Sequence, residues 1–250
     1  MRNILILIVL LVGQVIGASA QRLLKPENFR QYITLGFNLG ASAPYGLPNT
    51  IREINSYSPA FSPSLGYELD YDLSDRWSVG TGLRFDLKGM HVKDSVQYFR
   101  TLITVQNENG ENGSFEGDFS GTNSTSSRNG YLTVPFFAGY HLKKWQFNGG
   151  LYIAYLIQSK FEGNVSNGYI RKGGSLGEKV LIDHATFDFS DKVNNWDYGL
   201  HVDVNRHINE RWQVRVNGQI GLNPLFPSSF QGVSYELYNM FFTIGAAYRL

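Results

Sequence analysis

The sequence predicts an all-β fold: an eight-stranded antiparallel up-and-down transmembrane β-barrel. Three observations carry that expectation. Apolar and polar residues alternate with period 2 in eight segments, where helical spacing is rare. Each segment is about 10–13 residues long, close to the roughly 9–11 that a tilted membrane strand needs and longer than the roughly 5–6 of a globular strand. The connections alternate between short turns and long loops, as in barrels with turns at the periplasmic end and loops outside.

The first segment sets Ile33, Leu35, Phe37, Leu39 and Ala41 against Thr34, Gly36, Asn38 and Gly40. The second sets Leu65, Tyr67, Leu69, Tyr71 and Leu73 against Ser64, Gly66, Glu68, Asp70 and Asp72. After the turn Ser74-Asp75-Arg76, the third opposes Trp77, Val79, Leu83, Phe85 and Leu87 to Ser78, Arg84, Asp86 and Lys88. The fourth aligns Leu132, Val134, Phe136, Ala138, Tyr140 and Leu142; Lys143-Lys144 leads to the fifth, with Trp145, Phe147, Leu151, Ile153, Tyr155 and Ile157. The sixth opposes Trp196, Tyr198, Leu200, Val202 and Val204 to Asp197, His201, Asp203 and Asn205. Asn209-Glu210-Arg211 leads to the seventh, with Trp212, Val214, Val216 and Ile220 opposite Gln213, Arg215 and Asn217. The eighth runs from Tyr238 to Leu250, with Arg249 on its polar face. Loops fall at about 43–60, 89–129, 158–194 and 223–234, and the strand-forming run Val96–Val105 extends its hairpin above the membrane.

Trp77, Trp145 and Trp212 lie 68 and 67 residues apart, each opening the strand after a short turn. They predict an aromatic girdle at the periplasmic interface, with Trp196 joining Tyr155 and Tyr238 in the outer one. Aromatics at the ends of a continuous apolar face put that face toward lipid. Small polar residues and opposite charges suit the crowded lumen of an eight-stranded barrel. The expected lumen charge network is Glu68, Asp70, Asp72, Arg84, Asp86, Lys88, Asp197, His201, Asp203, Arg215 and Arg249. Mutual pairing would offset the burial of these charges, and a filled lumen argues against an open pore.

Residues 1–20 read as a secretory leader: Arg2, an unbroken apolar run from Ile4 to Val12, and Ala18-Ser19-Ala20 before a mature start at Gln21. A short periplasmic segment, 21–29, precedes the barrel at 30–250. The chain carries 22 basic and 21 acidic residues; Arg2 leaves with the leader, so the mature chain is neutral. That excludes a basic nucleic-acid surface. The absence of cysteine excludes disulfides, thiolate metal sites and cysteine nucleophiles. Mean hydropathy is only −0.22 because alternate strand residues and the loops are polar.

Tyr131-Leu132-Thr133-Val134-Pro135-Phe136 resembles the Tyr-Leu-x-Ile-Pro-Leu signature of the PorT-like, porin-family outer membrane β-barrel proteins. The glycine-punctuated last strand agrees with it, and the likeness covers roughly residues 30–250, comparable to OmpA-like and OmpX-like barrels. The resemblance implies a non-enzymatic barrel of the Gram-negative outer membrane. One branch of the family serves a protein-secretion and gliding apparatus, which adds secretion-apparatus proteins to the expected partners. The others are outer-membrane lipid and, during insertion, the barrel-assembly machinery, for a monomeric chain. Pro135 should break one ladder bond.

No phosphate loop, zinc spacing or nucleophile elbow is present, and no cofactor or metal is expected. His201 and Asp203, two apart on one lumen face, read either as a proton-linked pair or as members of a hydrogen-bonded lumen network; the second reading leads. Asp183-His184 falls in the third long loop. The polar stretch Asn107–Gly130 reads as a solvated loop. Four functions stay open: an interaction barrel acting through its loops, a narrow small-solute channel, a membrane-embedded enzyme and a secretion component.

Overall fold

The structure is a computed structural model and describes residues 25–106, 112–172 and 176–250. The leader at 1–20 and residues 21–24 lie outside the described residues. Eleven antiparallel strands form one sheet: β1 (Phe29–Ala43), β2 (Ile51–Pro59), β3 (Pro63–Asp72), β4 (Trp77–Gln106), β5 (Asn112–Leu142), β6 (Trp145–Gln158), β7 (Phe161–Lys172), β8 (Lys179–Asp188), β9 (Trp196–His207), β10 (Trp212–Gly221) and β11 (Tyr238–Arg249).

Eight of them close the barrel in the order β1-β3-β4-β5-β6-β9-β10-β11, with β11 returning to β1 from Tyr32↔Arg249 to Ala43↔Tyr238. Closure leaves no sheet edge at this level, which is what a sheet in lipid requires. Side-chain direction follows parity. On β9, outward Val202 is 61% exposed and inward His201 only 2%. The apolar faces read from the sequence therefore point out, and the polar faces point in.

Pro135 is buried on the inner face, and the β4–β5 ladder skips the positions opposite Gly82 and Leu83 without a register shift. The Pro135 carbonyl instead accepts a hydrogen bond from the Thr81 hydroxyl at 2.9 Å. The lost ladder donor is thus confined to one side, since Pro135 still pairs with Tyr152 of β6.

The long connections differ from the expected loops. β4 and β5 run far beyond the barrel and pair to Gln106↔Asn112. β2 pairs with β4 from Ile51↔Val96 to Pro59↔Met90, β7 pairs with β5, β8 pairs with β7, and β8 touches β4 at Thr104↔Thr186. The extra strands β2, β7 and β8 thus stand on the barrel as a folded platform. β5 is flanked by β4 on one side and β7 on the other, so its backbone groups are met by neighbouring strands, which is why an Asn/Gly/Ser-rich stretch such as 112–130 is strand and not loop.

Topology has a direct check. In intact cells, a cysteine at Leu181, 77% exposed on β8, should react with an impermeant maleimide. A cysteine at Lys144, in the β5–β6 turn at the other end, should react only after permeabilisation. Equal labelling of both would overturn the orientation.

Candidate functional site: a filled lumen under an apolar cap

The lumen is filled in layers by side chains that parity brings inward. At the mouth on the short-turn side, Arg30 of β1 pairs with Asp72 of β3 and lies 2.9 Å from His141 Nε2, which lies 3.0 Å from the Ser78 hydroxyl. One layer in, Gln146 donates to Asp70 at 2.9 Å and to Asn148 at 3.0 Å. At mid-height Arg215 donates two near-parallel hydrogen bonds to Glu68, at 2.7 and 2.9 Å, and a third to Asp203 at 3.3 Å. Such a fork-to-carboxylate pair is among the strongest side-chain arrangements available. Asp203 also accepts from Asn217 at 2.7 Å and lies 3.1 Å from His201 Nδ1. Arg84 and Asp86 pair at 3.3 Å, and Ser64 donates to Asp86 at 2.6 Å.

The outermost layer centres on Lys88. Its ammonium donates to Asp197 at 2.9 Å and sits 5.1 and 5.0 Å from the ring centres of Tyr131 and Tyr152. Tyr152 and Asn239 both donate to Asp197 as well. With Phe241 at 5.9 Å as well, the strongly hydrated ammonium has exchanged water for one carboxylate and three aromatic faces.

Nine of the eleven residues of the expected network are brought into this buried interior. Asp72 sits half-buried at the mouth with Arg30. Arg249 has inward parity, but β11 ends there and its side chain is exposed at the rim. His201 and Asp203 do meet. His201 Nε2, however, has no hydrogen-bond partner among the described residues, and the ring packs edge-on to Phe137 at 5.9 Å. The residue is only 2% exposed. Asp183 and His184 are both exposed on β8, and no metal-ligand cluster occurs among the described residues.

The four Trp residues lie on the outer surface near strand ends. Trp77 packs on Tyr140, Trp212 on Tyr248 and Trp145 on Phe147 at the turn end; Trp196 packs on Tyr155 at the far end. Above the Lys88 layer the polarity of the interior reverses. Phe99, Ile103, Phe119, Phe161, Val165, Ile170, Ile182 and Phe187 form one apolar core inside the platform. Leu225, Phe226 and Leu237, from the β10–β11 connection, join it and roof the lumen.

Residues 19–227 match the family described as outer membrane protein beta-barrel domain. The chain belongs to that family. Its membership, the closed sheet and the outward apolar faces make it an outer membrane β-barrel protein. Among solved structures the barrel is similar to Ail, the attachment invasion locus protein of Yersinia pestis, in a complex with the heparin analogue sucrose octasulfate. The identity is 9% and the TM-score 0.37, over 89% of this chain and 97% of that one. No curated protein sequence matches.

Proposed function

We propose that the protein is a non-catalytic, non-conducting barrel that presents a rigid interaction platform at the cell surface. The observation that carries this reading is the change of interior along one barrel: a polar lumen filled by paired charges, then an apolar core that holds β2, β7 and β8 in place above it. A barrel serving only as an anchor would not need fifteen buried apolar residues outside the membrane. A channel would need a water path, which Arg215, Lys88 and the roof of Phe226 and Leu237 close.

In planar bilayers the protein should give no discrete openings at moderate voltage. Stable unitary steps would overturn the filled-lumen reading. For partners, photo-crosslinkers at Leu181 and Leu176, both exposed on the platform, should capture neighbours in intact cells, whereas one at Lys144 should not. The reverse pattern would favour the secretion-apparatus reading. That second reading is supported by the likeness of Tyr131–Phe136 to the PorT-like signature.

A further inference from the structure

Above Phe37↔Pro63, β1 and its neighbour part. The upper half of β1 stays paired with β11, while β2 leans on β4. Two strand edges therefore face each other unpaired across a lateral gap. Their backbone groups are met singly: Asn38 N–H donates to the Ser62 carbonyl at 2.7 Å. The Tyr57 hydroxyl takes the Gly40 N–H at 3.2 Å and donates to the Gly40 carbonyl at 2.8 Å. The gap opens beside Ala43, which is level with Tyr238 and the Tyr45–Tyr238 ring pair, 4.3 Å apart. Tyr45, Leu47, Ile54 and Phe61 stand exposed around it. Its rim is apolar and aromatic, the chemistry of the outer membrane interface.

Behind the gap lies a cavity of about 210 Å³ inside the platform. Its walls are mainly apolar, among them Met90, Val92, Phe99, Phe187 and Leu237. Four buried polar side chains break that wall: Ser42, which donates to Asn239 at 2.7 Å, and Asp94, Thr101 and Asn123. Asn123 donates its amide hydrogens to Asp94 at 2.8 Å and to the Thr125 hydroxyl at 3.2 Å. Asn123 Oδ1 and Thr101 Oγ1 have no hydrogen-bond partner among the described residues. Buried polar atoms are nearly always paired, so these two in one cavity mark where a ligand's donors would go. Asp94 is hydrogen-bonded to Asn123, so what that corner of the cavity lacks is a donor that also carries positive charge.

We propose that this cavity binds a small cationic amphiphile, an aromatic ring or short alkyl chain bearing one primary ammonium. The ligand enters from the membrane interface through the β1–β2 gap and sets its head on Asp94 and Asn123. An engineered cavity of about 150 Å³ lined by similar side chains accepts benzene, so this one takes an apolar body of roughly six to ten non-hydrogen atoms. Burial raises the Asp94 carboxyl to about 6, against the Asn123 amide, which lowers it. The titratable groups that line the cavity with it are Tyr57 of β2 and Tyr235; burial pushes the Tyr235 phenol up, so it stays neutral. The carboxylate that the ammonium needs is therefore present above pH 6 and lost below it.

The test uses the full barrel in lipid nanodiscs, titrated with n-hexylamine, 1-hexanol and hexanoate, with empty nanodiscs subtracted for partition into lipid. Hexylamine should bind saturably and at least tenfold more tightly than the alcohol, with hexanoate weakest. Its affinity should fall about tenfold per unit as pH drops below 6. Asp94→Asn should bring hexylamine down to the alcohol's level with heat-modifiable migration unchanged. If that variant does not fold, Asn123→Ala serves instead, and should weaken hexylamine several-fold. Equal binding of amine and alcohol, preference for hexanoate, or wild-type affinity in the folded variant would each overturn the proposal.

Discussion

Replacing Arg215 with methionine is expected to cost the barrel about 3–5 kcal/mol, because the change leaves two carboxylates buried without their cation. Glu68 and Asp203 both lose their guanidinium partner at once, in a layer where neither reaches water. Urea unfolding in lipid vesicles, followed by Trp fluorescence, measures the loss. Adding Glu68→Gln and Asp203→Asn to the methionine variant should restore most of it, since no isolated charge then remains. The contrast is the exposed pair Lys192–Asp191, whose removal should change stability by under about 1 kcal/mol. If Arg215→Met costs as little as the surface pair, water fills the lumen and the plugged reading fails.

The barrel was legible because lipid imposes one rule on every strand: alternate residues must be apolar, and the rule holds from Trp196 to Val204 without interruption and from Trp77 to Leu87 with Thr81 as its one break. The lumen layer was legible for the same reason, since parity alone places Glu68, Asp203 and Arg215 inward. Arg249 shows the limit of parity. It sets the direction of a side chain but not the depth at which the strand stops.

The platform was hidden by breaks in the alternation. Tyr98, at φ 55°, sits in the register shift between Val96 and Phe99, so buried positions jump by three residues. Asn167, at φ 52°, does the same in β7 opposite the Ser120/Thr122 shift. The remaining signals, Phe161-x-Gly163-x-Val165 and Ala185-x-Phe187-x-Phe189, are real period-2 patterns but short. They also invert the barrel's logic, with apolar residues inward because water rather than lipid lies outside. Asp94 and Asn123 were invisible for a further reason. Their significance comes from a cavity made by β1, β2, β4, β5, β7, β8 and the β10–β11 connection together, and no local pattern announces it.

The platform core has its own large expected effect. Phe119 is fully buried between β4 and β7, where it pairs with Phe99 and Ile170. Phe119→Ala should cost about 3–5 kcal/mol, the transfer loss plus the cavity left in a packed interior. The consequence is expected to be local. The eight-stranded ring below shares β4 and β5 with the platform, but its own stability comes from the lumen pairs and from closure in lipid. Limited proteolysis of intact cells should therefore cut the variant within 161–188 and spare the wild type, while the clipped barrel keeps its heat-modifiable migration. Global loss of the folded barrel would instead make ring and platform one cooperative unit. The platform's folding would then be coupled to insertion, and a surface partner that stabilised it would stabilise the membrane barrel too.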